Sequence, residues 1–154
     1  MSFRKLSLPQ LKRDFGLHEI KRQLWEEPAG VAASPWLRQT LAFMGASAGF
    51  SEKSRSEGIV YPIIVELQQR WPDRLGIYSG AIVDADRKLG LRGETDFLLT
   101  LTPQFVEPES PFFAAVEAKD NDIEPGIAQC TAQLLALRTL NERMGVGPTS
   151  LYGV

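Results

Sequence analysis

The chain has 154 residues, enough for one domain with its own core, and its 44% hydrophobic and 23% charged content is ordinary for a soluble globular protein. No apolar run approaches the roughly 18 residues of a membrane span, and the start MSFRKLSLPQLKRDFG lacks the continuous apolar stretch of a signal peptide. A lone cysteine, Cys130, excludes an internal disulfide and, with only His18 to join it, argues against zinc, so a reduced cytoplasmic setting is expected.

The net charge of −2 is unevenly spread. Residues 1–55 carry nine Lys/Arg against five Asp/Glu, and residues 56–154 carry eight against fourteen. The basic excess lies in FRK, LKRD, IKRQ and EKSR, interleaved with Phe3, Phe15 and Trp25. Such clusters are either solvated helix faces or a phosphate-contacting surface beside an acidic site.

In chain order, residues 8–25 space Leu8, Leu11, Phe15, Leu17, Ile20 and Leu24 as two short helices separated by Gly16. After the loop EEPAGVAASP, Ser34-Pro35 opens another helix, WLRQTLAFMGAS, with proline at its first position. A further helix is expected over about 51–71, with Val60, Ile64, Leu67 and Trp71 on one stripe and a kink or late start at Pro62. From residue 76 the period falls to two. GIYSGAIVDADRKLGLRGETDFLLTL reads as strand, turn, strand, and PFFAAVEAKD as a third strand. Residues 124–144 form a long, mostly apolar helix with Pro125 in its first turn, and TSLYGV begins a fourth strand at which the chain stops, as in a fragment. The order is that of an α/β or α+β domain, a mixed sheet flanked by helices. Residues 1–50 form a helical N-terminal extension and 51–154 the core.

Three charges sit where strands should be apolar. In RGETDFLL, alternation places Glu94, Asp96 and Leu98 on one face and Thr95 and Phe97 on the other. In FFAAVEAKD, Glu117 and Lys119 leave one face about 6.6 Å apart. A buried carboxylate without a partner is costly, and adjacent strands lie about 4.8 Å apart. Pairing in register would therefore bring Asp96 and Glu117 together with Lys119 at the rim. The structural alternative is a buried Asp–Lys ion pair. Two carboxylates and a lysine suit phosphodiester hydrolysis. Hard oxygen ligands hold Mg²⁺, or Mn²⁺, which polarises the phosphate, while the ammonium orients or deprotonates the attacking water.

The pattern resembles the PD-(D/E)XK nuclease superfamily, of restriction-endonuclease-like fold: an acid on one strand, E-x-K on the next, then a helix. Asp96 in GETD matches the first element, and Glu117 and Lys119 in VEAK, beginning 21 residues later, match the second. EKSRSEGIVYPIIVEL before the core and GIAQCTAQ after it also fit, across about 51–154, most nearly in the manner of uncharacterised bacterial members. Thr95 stands where the family's motif has proline. The resemblance implies a metal-dependent nuclease acting on nucleic acid, with DNA the expected substrate and endonuclease action expected, and it leaves a homodimer open. It also implies a supporting glutamate and glutamine. Glu57 lies about 60° from Val60 on the helix and borders the buried stripe, while Glu66, about 120° away on the other side, should point outward. Glu57 is therefore the expected metal or water ligand, with a solvated charge as the alternative. Gln129 and Gln133, four apart, share a helix face, and the resemblance favours Gln129. Asp84 and Asp86 read as a hairpin tip, Asp120 and Asp122 as a lead into the helix, His18 as structural or exposed, and Cys130 as a small residue on a packed helix. The rival readings are a non-catalytic nucleic-acid-binding or assembly module of the same fold, and an interaction protein whose buried charges are structural.

Overall fold

The computed structural model describes the chain except Met1, residues 24–29, 46–50 and 119–122, and the side chains of Arg4 and Ile123. Leu24, Trp25, Lys119, Asp120 and Asp122, each of which figures in the sequence reading, lie outside the described residues.

Among the described residues four strands form one mixed sheet in the order β1 (Gly76–Asp86), β2 (Leu91–Thr100), β3 (Phe112–Val116) and β4 (Tyr152–Gly153). The first three are antiparallel neighbours, and β4 runs parallel to β3. This is a mixed α+β architecture, as the change of period at residue 76 implies. The β1–β2 hairpin turns at the tip expected from DADRKLG. There Asp86 Oδ1 accepts the N–H groups of Lys88 and Leu89, and Asp84 pairs with Arg87 at 2.7 Å.

Each sheet face is covered by a helix. Helix α5 (Ile123–Arg143) lies over one face, where Ala132, Ala136 and Leu137 are fully buried against Tyr78, Leu91, Leu98 and Ala115. Small residues four apart let the helix axis approach the strands closely. The 3₁₀ turn Phe3–Lys5 and helix α1 (Leu8–Phe15) send Phe3, Leu6 and Leu11 into the same core. Ser7 caps α1 by accepting the Gln10 N–H, and Gly16 ends it at φ +63°, a left-handed conformation that glycine adopts without strain. No second helix follows among the described residues 17–23, contrary to the sequence expectation. Ile20 is 75% exposed, so this segment has no buried stripe to stabilise a helix of barely two turns.

The other face is covered by a continuous helical segment: α3 (Glu52–Arg55), a π-helical turn (Ser56–Val60) and α4 (Tyr61–Arg70). Pro62 explains the π turn. Its ring would collide with the carbonyl four residues back and has no N–H to give it. The backbone instead widens, and the Tyr61 N–H bonds to the Ser56 carbonyl five residues back. The helix is neither broken nor delayed at Pro62. Ile64 packs on Ile77, Phe97, Leu99 and Val116, whereas Leu67 and Trp71, expected on the same stripe, are exposed. Trp71 already lies past the helix end, at φ −134° and ψ 59°.

Glu66 does not point outward. Its side chain is 7% exposed and accepts the Ser34 N–H at 3.0 Å, the Ser34 hydroxyl at 2.6 Å and the Arg70 guanidinium at 2.6 Å. Ser34 is also the N-cap of α2 (Pro35–Met44), so Glu66 fastens α2 to the outer side of α4. One hydrophobic stripe could not reveal this, because the second buried face of α4 is covered by polar contacts.

The Ser34 hydroxyl and then the Arg70 guanidinium hold the Glu66 carboxyl down to about 2, from an ordinary value of 4.5. A depressed acid stabilises the fold above its unfolded value and loses that contribution as pH falls toward the folded one. The stability gap between wild type and Glu66→Gln should thus be constant above about pH 5 and close between about pH 4.5 and 2. Urea titrations across that range measure it, and a gap independent of pH would contradict the anchor.

Candidate functional site

The centre of interest is the point where β3 parts from β2. The ladder pairs Leu99 with Ala114, Leu98 with Ala115 and Phe97 with Val116, and there β3 ends. One step beyond the last pair, Asp96 and Glu117 stand opposite each other. Strand β3 was expected to run through residue 120, but its pairing with β2 stops at Val116. On the β4 side the Glu117 N–H still bonds to the Val154 carbonyl at 2.8 Å, while on the β2 side the Ala118 N–H bonds to Asp96 Oδ2 at 2.8 Å. Asp96 thus closes with its side chain a ladder that the backbone has left.

On the other side of Asp96 the β1–β2 pairing is also interrupted. Ser79 pairs with Phe97 and Ala81 with Thr95, but Gly80 and Asp96 between them are unbridged, and Gly80 has φ +65°. The alternation of the strands slips at this point. Tyr78 and Val83 share one core, as do Leu91 and Leu98, although each pair is an odd number of residues apart. Asp96 and Phe97 therefore both border a cleft of about 740 Å³ on the α4 side, with Ser79, Gly80, Glu94 and Tyr61. The expected common face for Glu94, Asp96 and Leu98 is broken here: Leu98 turns to α5 while Glu94 and Asp96 border the cleft. Thr95, in the motif's proline position, is fully buried and donates its hydroxyl to the Ala81 carbonyl at 3.2 Å.

Glu117 is 8% exposed. Gln129 Nε2 donates to its Oε2 at 2.8 Å, and Gln133 Nε2 donates to its Oε1. Gln133 also reaches the Glu94 carbonyl at 3.5 Å, so α5 is tied to both strands at their parting, while Gln133 Oε1 is buried without a partner among the described residues. Gln129, which the resemblance favours, bonds to Glu117, and Gln133, which shares its helix face, does so equally. Their four-residue spacing was the available signal. Glu117 borders a second cavity of about 410 Å³ with Ile127, Cys130, Leu134 and Val154. Burial first and the Glu117 charge second push the Cys130 thiol up to about 11, which keeps it protonated and unreactive near neutrality.

Glu57 borders the same cleft as Asp96, with its side chain 64% exposed and Lys53 at 3.8 Å. It stands in the π turn, at the mouth of the cleft. Lys119, the remaining member of the trio, lies outside the described residues. In the basic N-terminal third, Lys12 pairs with Glu19 at 2.5 Å and Arg13 with Asp14 at 3.0 Å, while Lys21, Arg22 and His18 are exposed. Three cations of the basic clusters, Lys12, Arg13 and Lys53, are thus already matched by acids.

Among the described residues no group of three or more His, Cys, Asp or Glu side chains is arranged to hold a metal ion, and no helix is long and apolar enough to cross a membrane. Asp96 borders the cleft together with Glu57 and Glu94, and Glu117, at the adjoining end of β3, borders the second cavity. Magnesium commonly takes one or two carboxylates and keeps several waters, so carboxylate donors of this kind suit its chemistry.

The protein matches no known family model, no curated protein and no solved structure.

The break at Gly80 generates a direct test. A side chain at its φ of +65° is strained, and a Cβ there would meet Glu94 Oε1 at 3.2 Å. Gly80→Ala should destabilise the domain by about 1–2 kcal/mol, read from the shift in urea midpoint. An equally stable variant would mean that the left-handed turn is not required.

Proposed function

We propose that the chain is a metal-dependent nuclease domain of restriction-endonuclease-like fold, acting on phosphodiester bonds of nucleic acid, with DNA the expected substrate. The observation that carries this reading is the placing of Asp96 and Glu117 at the adjoining ends of the β2–β3 ladder, with Asp96 accepting the N–H of Ala118, the residue after Glu117. The order of acid on β2, E-x-K from the end of β3 and glutamines on the next helix supports the resemblance to PD-(D/E)XK nucleases.

In this reading Asp96 and Glu117 hold Mg²⁺ or Mn²⁺. Bound there, the cation would supply Lewis-acid polarisation of the scissile phosphate. Gln129 and Gln133 orient the Glu117 carboxylate by donating to its two oxygens, so that its direction is set before substrate arrives. Glu57, on the cleft rim, orients water entering from solvent. Lys119, two residues beyond Glu117, positions the attacking water and offsets the charge that builds on the phosphate oxygens. The second reading, a nucleic-acid-binding or assembly module without cleavage, draws on one observation. Each Glu117 oxygen takes an amide N–H, as in a carboxylate kept for structure.

Glu117→Gln should leave the circular dichroism spectrum unchanged and remove cleavage in Mg²⁺, since a neutral amide is a poor ligand for a hard cation. Full cleavage by the folded variant would remove Glu117 from the mechanism.

Metal binding is testable without substrate. For a dissociation constant near ~1 mM, ~10 mM Mg²⁺ stabilises the folded state by about 1.4 kcal/mol, or about 3–5 °C in Tm for a domain of this size. Asp96→Asn should lose most of that shift, while Lys119→Ala should keep or enlarge it yet fail to cleave. If neither Mg²⁺ nor Mn²⁺ moves the wild-type Tm, the structural reading of these charges is the better one.

A further inference from the structure

The cleft that Asp96 borders also has an aromatic lining. Tyr61 lies against Phe97 with ring centroids 5.7 Å apart and planes within 13°, an offset stack. Phe97 is 3% exposed and fixed in the core, whereas Tyr61 is 45% exposed. One side of the tyrosine is therefore braced while the rest of the ring is open to solvent. Its backbone position is equally constrained, because the Tyr61 N–H closes the π turn and Pro62 follows. Tyr61 and Phe97 both line the cleft, and Phe97 is the chain neighbour of Asp96. A braced, half-open aromatic ring in the cleft that Asp96, Glu57 and Glu94 also line has the form of a stacking platform.

Its occupant follows from size and charge. The volume of about 740 Å³ falls within the range of small-ligand pockets and is larger than one nucleotide needs. The cleft is also lined by Glu52, Glu57, Glu94 and Asp96 against Lys53, so a phosphate chain enters only when a cation offsets this charge. In a duplex the base faces are covered by neighbouring bases, and only an unpaired base can lie on an aromatic ring at the wall. We infer that the cleft takes an unpaired nucleotide of single-stranded nucleic acid, its base laid on Tyr61 and its phosphate directed to Asp96, and that this binding requires a divalent cation. The inference rests on the nuclease reading for the identity of the polyanion. Without an unpaired base, an exposed tyrosine on this helix would only cover Phe97.

The test is binding in Ca²⁺, as a divalent cation expected to permit binding without turnover. The probes are a short 2-aminopurine-labelled deoxyoligonucleotide, its ribo counterpart and the matching DNA duplex. Wild type should bind a single strand more tightly than duplex, lose that binding in EDTA and quench the 2-aminopurine. The deoxy and ribo arms show which sugar is accepted. Tyr61→Phe should retain affinity and quenching, and Tyr61→Leu should lose about tenfold or more in single-strand affinity with no loss for duplex. Should Tyr61→Leu fail to fold, Tyr61→Trp carries the test, with tighter binding and stronger quenching expected.

Preference for duplex, or quenching that persists in Tyr61→Leu, overturns the inference, as does weaker single-strand binding by Tyr61→Trp. Cleavage by wild type in Mg²⁺, run in parallel, separates the two readings. Duplex cleavage unaffected by Tyr61 substitutions leaves the nuclease standing without the platform. Tyrosine-dependent binding of single strands with no cleavage of any substrate leaves the platform standing without the nuclease. Binding to none of the probes removes both.

Discussion

A backbone ladder cannot simply stop inside a protein, because every N–H it abandons must find another acceptor. The structure around residue 96 follows from that constraint. Strand β3 leaves β2 after the Phe97–Val116 pair, and the next donor on the β2 side, the Ala118 N–H, is taken by the Asp96 carboxylate, while the Glu117 N–H stays on the β4 side with the Val154 carbonyl. On the opposite side Gly80 turns left-handed and releases β1 from the same residue. Asp96 is thereby flanked by two gaps in one sheet. These gaps turn a continuous surface into a cleft and give an acidic side chain a reason to occupy a strand.

Helix α5 rigidifies the same point from the other side. Its alanines let it sit close on the sheet, and that closeness brings Gln129 and Gln133 within hydrogen-bonding reach of the buried Glu117. Two amide donors orient a carboxylate better than solvent could, since the buried amides cannot reorganise freely. Gln133 adds a contact to the Glu94 carbonyl, so one side chain spans the separated strands. Its own Oε1 is left buried without a partner among the described residues, a cost accepted where the two strands must be held apart and together at once.

The opposite wall owes its shape to a proline. Pro62 cannot continue a regular α-helix, yet the helix is needed to cover Ile77, Phe97 and Val116, and the π turn reconciles the two demands. The widened turn carries Glu57 to the mouth of the cleft and Tyr61 onto Phe97. Glu66, one face further round, anchors α2 through Ser34 and Arg70, so the helix is held from the sheet side by apolar contacts and from the outer side by ionic ones.

Much of this fold could be read from the chain, because the periods of strands and helices are local properties. The hairpin over residues 76–100, the third strand, the long helix and the short final strand each announce themselves by alternation, turn residues or helical spacing. So does the anomaly of charge at Asp96 and Glu117, since a carboxylate in an apolar run is visible without coordinates. The pairing of Gln129 with Gln133 on one helix face was also legible, though not that both reach Glu117. What could not be read were features set by neighbours distant in sequence. Burial of Glu66 required Ser34, 32 residues away. The end of the β2–β3 ladder before Glu117 required an acceptor from the Asp96 side chain. The slip of alternation at Gly80 required two strands to deform together. A helix after Gly16 was suggested by spacing but had nothing to pack on. Local sequence determined which elements form and which side chains are out of place in them, because propensity and periodicity act over a few residues. Tertiary structure alone decided where those side chains point, because the partners that satisfy a buried charge or a released backbone donor come from other elements.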